Sequence, residues 1–169
     1  SSVISCHKYV EKLASEFNII LRPHPIEIDP QYDRYNNEVH RIIKSSKLIV
    51  NIDPFQNMSE LYAISDLMLC DYGGTIFSSL YMNKKIILLN HRDAILDSNT
   101  NSTTSIEVRK YLPSIDEKDF KNSEEIIKKY LFSKKNMTAI KKTRLIYFGN
   151  KEIGMCSNLV RDRLNQLIN

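Results

Sequence analysis

"SDLMLCDYGGTIFSSLYMNKKIILLN", residues 65–90, holds an apolar run, two adjacent glycines, an amphipathic stretch and a second apolar run. Leu67–Cys70 and Ile86–Leu89 are apolar throughout rather than alternating. Uninterrupted runs this short suit strands buried on both faces, as in a parallel sheet. Between them Ile76, Phe77, Leu80 and Tyr81 share one face of a helix. Strand, helix and strand in that order make a βαβ unit with a right-handed crossover. The chain has only four glycines, and two of them stand together at the turn from the first strand into the helix. They follow Asp71 and Tyr72 directly.

The same grammar extends to both sides. Ile19–Leu21 and Leu48–Val50 are further continuous apolar runs. Helical stripes surround them: Val10, Leu13, Ala14 and Phe17 before the first, and Val39, Ile42 and Ile43 before the second. Ser123 stands where it could cap a helix bearing Ile126, Ile127, Tyr130 and Leu131, and Val160, Leu164, Leu167 and Ile168 form a last stripe. Alternating helix and strand predict an α/β fold, a Rossmann-like three-layer domain with a doubly wound parallel sheet of four strands spanning residues 1–169. Asp97–Ser105, "DSNTNSTTS", reads as a mobile polar loop. The chain opens on a helix, so a further strand is expected upstream of Ser1, and the chain reads as part of a larger enzyme.

Composition narrows the function. With 169 residues, 42% of them hydrophobic, the chain can bury one core. A net charge of +4 is too small to argue for nucleic acid. The basic residues thicken at Lys134, Lys135, Lys141, Lys142 and Arg144, a solvated helix face or a contact with an anionic membrane or polymer. No apolar run spans a bilayer. Three well-separated cysteines without a CxxC fit a reducing compartment and argue against zinc. The expected location is cytoplasmic, with peripheral contact at the inner face of the membrane, and neither a cofactor nor a metal is expected.

In open α/β sheets, ligands bind beyond the carboxyl ends of the strands. Four segments fall there. "LRPHP" places Arg22 and His24 after the first run, with prolines on either side of the histidine holding the backbone extended. "NIDPFQNMSELYAISD" offers Asn57 or Ser59 as a cap, with Glu60 in the first turn that follows. Gly73 and Gly74 lack a Cβ, so an anion can approach the backbone, and Thr75 opens a helix whose free N–H groups carry partial positive charge. "NHRD" puts Arg92 or His91 past the fourth run, where either could reach a phosphate or form a plain salt-bridged surface. A Walker lysine and a GxGxxG are both lacking, which leaves NTPase and dinucleotide readings weak.

"LRPHP", "MSELYAISDLMLCDYGGTIFSSLYMNKKIILLN" and "YFGNKEIGMCSNLVRDRL" together resemble the carboxyl-terminal half of the CDP-glycerol glycerophosphotransferase family, the teichoic-acid and capsule polymerases of bacteria. The resemblance runs in order from about residue 5 to residue 165. It implies one half of a GT-B fold, with the nucleotide donor held by this half and an amino-terminal half elsewhere in the enzyme. His24 matches the histidine of the family's RPHP element and is implied to be catalytic. Glu60 matches the Glu of its NELL element, and Asp71, Tyr72, Gly73, Gly74 and Thr75 match its DYSS segment at the donor phosphates. The implied reaction moves glycerol phosphate, or a related alditol phosphate, from a CDP-activated donor to a polymer acceptor, with the isolated domain inactive.

This sequence departs from the pattern at three places. DYSS is DYGG, the usual Asp after IF is Ser78, and the family's tyrosine-rich stretch is "LLNHRDAIL". The Gly-Gly turn is also similar to the DSGG of UDP-N-acetylglucosamine 2-epimerases. A UDP-sugar glycosyltransferase or epimerase-like domain, and a non-catalytic nucleotide-binding module, are the alternatives.

Overall fold

The computed structural model describes residues 2–31, 33–53, 56–90, 103–150 and 152–168. Helix α1 (Ser2–Leu13) precedes strand β1 (Ile20–Leu21), and the short α2 (Pro25–Ile28) and α3 (Asp33–Ser45) lead to β2 (Ile49–Val50). Then come α4 (Met58–Ile64), β3 (Leu67–Cys70), α5 (Gly74–Tyr81) and β4 (Lys85–Asn90). α6 (Thr103–Val108), β5 (Ser114–Asp116), a 3₁₀ segment (Glu117–Asn122), α7 (Ser123–Phe132), α8 (Lys134–Phe148) and α9 (Cys156–Ile168) complete the chain.

Among the described residues every strand pairing is parallel. β1 pairs with β2, Ile20 opposite Ile49, while β3, β4 and β5 form a second ladder with Leu67 opposite Lys85 and Leu88 opposite Ser114. Four strands in one sheet were expected from the apolar runs. Among the described residues there are five, in two ladders. β5 escapes the sequence because Ser-Ile-Asp contributes one apolar side chain, Ile115, and a run of one has no period.

The continuous apolar runs are explained by what lies on each face. Leu67, Leu69, Ile87 and Leu89 turn toward α1 and α7, packing with Cys6, Leu13, Phe120 and Ile127. Met68, Cys70, Ile86 and Leu88 turn the other way, onto Ile76 and Leu80 of α5, Val108, Leu112 and Ile140 of α8. Both faces of the strands are therefore covered, and the fold is the expected three-layer α/β arrangement. A third cluster, Val3, Val39 and Ile42, joins α1 to α3 beside Leu21 of β1.

Several local expectations shift. α1 starts at Ser2, so its buried stripe is Val3, Cys6 and Leu13, and Ala14 lies beyond its end, exposed. Ser123 makes no side-chain cap: the 3₁₀ segment runs straight into α7, and Ser123 is buried at the junction. Thr103–Ser105, expected in the loop, opens α6, while the rest of that loop lies outside the described residues. Arg144 leaves the basic face: it is buried, and its Nε donates to the Tyr81 carbonyl at 3.0 Å. The final stripe on α9 is largely exposed at Val160, Leu164 and Leu167, by 59%, 53% and 68%.

α5 is the element that aims the site. Its inner face is sealed by Ile76 and Leu80, and α8 locks it laterally. Phe77 meets Tyr147 edge-on at 5.5 Å, and Tyr81 meets Phe148 at 5.3 Å. After it, Asn83 takes a left-handed conformation (φ 53°), one that asparagine tolerates, and the chain reverses into β4.

Candidate active site at the carboxyl ends of the strands

Two groups of residues assemble where the parallel strands end. The first is built on β1, β2 and α4. Past β1, Pro23 is buried and His24 is the N-cap of α2, with backbone φ −64° and ψ 139°. Its Nδ1 accepts from the Ile26 N–H at 3.2 Å, and the buried Glu27 reaches back so that its Oε2 accepts from the His24 N–H at 2.9 Å. This is a reciprocal capping box with histidine in the cap position. The consequence is chemical. With Nδ1 held as an acceptor, the neutral ring carries its proton on Nε2, and His24, exposed at the strand end, presents an N–H donor outward.

Arg22, one turn of chain earlier, donates from Nη1 to Asn51 Oδ1 past β2. Asn51 Nδ2 in turn donates to Gln56 Oε1, and Gln56 Nε2 donates to Glu60 Oε2 at 3.3 Å. Asn57 caps α4 by accepting the Ser59 N–H at 3.0 Å, which sets Glu60 in the first turn. A four-residue hydrogen-bonded chain thus ties a strand-end arginine to an exposed carboxylate, across 38 positions of sequence.

The second group surrounds the start of α5. Asp71 Oδ1 accepts the Tyr72 N–H at 2.7 Å, a bend that turns the chain out of β3. Gly73 then adopts φ 85° and ψ −164°, a region open in practice to glycine alone. It is the N-cap of α5 and, having no side chain, makes no cap bond. The first bond inside the helix runs from the Ile76 N–H to the Gly73 carbonyl at 3.3 Å, so the Gly74 and Thr75 amides precede it. Gly74 and Thr75 are exposed, and a Cβ built on either glycine would meet nothing within 4 Å. The backbone here can be approached closely, with a helix terminus behind it.

Tyr62 on α4 joins the two groups. Burial pushes its phenol pKa up; the hydroxyls of Ser78 and Ser79 on α5, to which it hydrogen-bonds, and the nearby Arg22 charge act in the opposite direction. Arg109, after α6, donates from Nη1 to Asn90 Oδ1 at 2.6 Å, and Asn90 Nδ2 donates to Asp116 Oδ1 at 3.0 Å, linking the ends of β4 and β5. Burial holds the Arg109 pKa below its usual range, with the Asp71 and Cys70 charges opposing that shift. Among the described residues, no three His, Cys, Asp or Glu side chains converge on a metal-sized site.

Of the sequence-predicted residues, Arg22 and Glu60 meet through Asn51 and Gln56, and Asp71, Tyr72, Gly73, Gly74 and Thr75 form one turn. His24 makes the hydrogen bonds above within its own turn. Arg92 lies outside the described residues. Glu27 carried a signal that could have been read, since His-Pro-x-Glu has capping-box spacing. Asn51, Tyr62 and Arg109 carried none, since each matters because of a partner distant in sequence, and Gln56 matters because its neighbour Asn51 is bonded onward to Arg22.

The family model for CDP-glycerol:poly(glycerophosphate) glycerophosphotransferase matches residues 1–113. The match takes in LRPHP, Glu60 and the double glycine, and it stops short of the "YFGNKEIGMCSNLVRDRL" segment that was also expected to carry the resemblance. No curated protein and no solved structure shows a match. Two thirds of the chain, including both groups of strand-end residues up to Arg109, therefore fall under one family description, and this chain is a member of the CDP-glycerol:poly(glycerophosphate) glycerophosphotransferase family.

Proposed function

We propose that this chain supplies the donor side of the family's transfer and holds CDP-glycerol, or a closely related CDP-alditol, at the carboxyl ends of its strands. The observation that carries the reading is the open start of α5. Gly73 sits at a glycine-only conformation beside exposed Gly74, with no side chain capping the helix and space around both. A diphosphate seated there gains backbone N–H donors and the positive end of the helix dipole.

The chemistry follows from that placement. An acceptor hydroxyl on the polymer attacks the β-phosphorus, the bond to the bridging oxygen breaks, CMP departs, and the hydroxyl proton passes to a base. Enzymes do little covalent work in such a step beyond positioning and spreading charge. His24 presents its Nε2–H to the phosphate being released. Glu60, held by Gln56, takes the ribose hydroxyls. Arg22 is held by Asn51 and adds positive charge on the donor side.

A second element supports a surface location. No helix among the described residues is long and apolar enough to cross a membrane. α8, however, turns Lys134, Lys135, Lys141 and Lys142 outward beside exposed Leu145 and Ile146, with Phe132 85% exposed just before it. It carries no acidic residue. Lysines beside apolar side chains suit an anionic bilayer surface. Replacing Lys141 and Lys142 with Gln is expected to weaken sedimentation with phosphatidylglycerol-containing vesicles and to leave neutral vesicles unaffected.

Titration calorimetry with CDP, CMP, UDP and CDP-glycerol tests the donor reading. CDP is expected to bind several-fold to about tenfold more tightly than CMP, because only its second phosphate reaches the Gly73–Thr75 amides. Gly74→Val is expected to remove that difference while the fold persists. Equal affinities for CDP and CMP in the parent chain would reduce the double glycine to a turn, and a preference for UDP would reassign the donor.

A further inference from the structure

Among the described residues, Arg109 is the side chain with buried polar atoms that are not accounted for. Its Nη1 is held by Asn90 Oδ1, and Asn90 is held in turn by Asp116. Its Nε and Nη2 are shielded from solvent and have no hydrogen-bond partner among the described residues. Buried N–H groups are almost always paired, and leaving two of them empty on a cation is costly. A methionine of similar length would fill the same space without that cost.

The identity of the two empty atoms matters more than their number. Nε–H and Nη2–H form one edge of the guanidinium plane and point in parallel. That is the edge which grips two oxygens of a single carboxylate or phosphoryl group. The neighbouring carboxylate, Asp71, is close enough for its charge to act on Arg109, but its Oδ1 is engaged by the Tyr72 N–H. Asn90, two residues past the Cys70–Leu88 pair at the carboxyl end of β4, thus holds the guanidinium from one side and leaves Nε and Nη2 without a partner among the described residues, close enough to Asp71 for that charge to act on Arg109.

We propose that Arg109 is a phosphate-binding residue whose Nε–Nη2 edge takes two oxygens of one phosphoryl group of the ligand at the Gly73–Thr75 turn, with Asn90 as the residue that positions it. This deepens the donor reading above and rests on it. Because the two nitrogens are shielded, the side chain shifts toward the ligand as it binds, pivoting on the single bond to Asn90. The oxyanion supplies the acceptors that the fold withholds.

The test uses the whole chain, with CDP, CMP and inorganic pyrophosphate as probes and thermal melting in parallel. Arg109→Met is expected to lower CDP and pyrophosphate affinity tenfold or more and to leave the melting temperature equal or higher. Arg109→Lys keeps the charge but not the paired edge, and is expected to recover only a minor part of the affinity. Salt should weaken CDP binding more steeply in the parent than in Arg109→Met. Undiminished CDP affinity in Arg109→Met, with Gly74→Val still losing it, would overturn the role of Arg109 and spare the donor reading. A parent chain that binds neither CDP nor pyrophosphate would overturn both.

Discussion

In the proposed reading His24 combines two roles in one ring, and they can be separated. Nδ1 caps α2, while Nε2 faces outward. Asparagine is a good N-cap but cannot present a donor in the same place. In the active enzyme, His24→Asn is therefore expected to retain the melting temperature of the parent within a few degrees and to lose turnover by two orders of magnitude, with donor affinity changed much less. His24→Ala should lose both turnover and some stability, about 1 kcal/mol. A His24→Asn enzyme with parental kcat would leave the imidazole as a cap and nothing more. The two glycines also separate. Gly73→Ala forces an alanine to φ 85° and is expected to cost about 1–3 kcal/mol in urea unfolding. Gly74 is helical with open space about it, so Gly74→Ala should leave unfolding stability unchanged or raise it by roughly 0.5 kcal/mol.

At the scale of elements, α8 decides how firmly α5 is aimed, and its two faces should respond differently to truncation. Ile140, 1% exposed, fills the cluster that also holds Ile76, Leu80 and Leu88. Ile140→Ala is expected to cost about 2–5 kcal/mol, the range for a buried aliphatic side chain that leaves a cavity. Leu145→Ala, on the outward face, should stay within about 0.5 kcal/mol. Denaturant titration of the pair checks both, and a large effect at Leu145 would mean that its face is covered. Lys128 pairs with Glu16 past the end of α1 at 2.9 Å and with Glu124 within α7 at 2.7 Å, but both pairs are exposed, so they contribute little.

At the scale of the whole molecule, the thiols give stability a dependence on alkaline pH. Burial, aided by the Asp71 charge, pushes Cys6 from an ordinary value of 9.0 up to about 12, and burial does the same to Cys70, to about 12. Between pH 9 and 12 the unfolded chain loses these protons while the folded chain keeps them. The native state then binds more protons, so unfolding free energy falls as pH rises through that window and is unaffected below it. Urea midpoints are expected to drop between pH 8 and pH 11, and the drop should shrink in Cys6→Ala and Cys70→Ala.

Much of this fold was legible because burial on both faces of a strand leaves a mark that requires no partner to be known. Leu67–Cys70 and Ile86–Leu89 are apolar at every position since one set of side chains meets α1 and α7 and the other meets α5 and α8. The βαβ order then placed the Gly73 turn at a strand end, and glycine's freedom at φ 85° is a property of the residue itself. What only the tertiary structure decided has a common cause. β5 exists because β4 offers a free edge, not because Ser-Ile-Asp has any period. Arg22 and Glu60 belong together only through Asn51 and Gln56, and Arg109 reaches the site only through Asn90. Periodicity reports what each element buries; it carries no information about which polar atoms, far apart in the chain, are brought within 3 Å. The two strand-end groups are made of such meetings, so they came into view only when the strands were laid side by side.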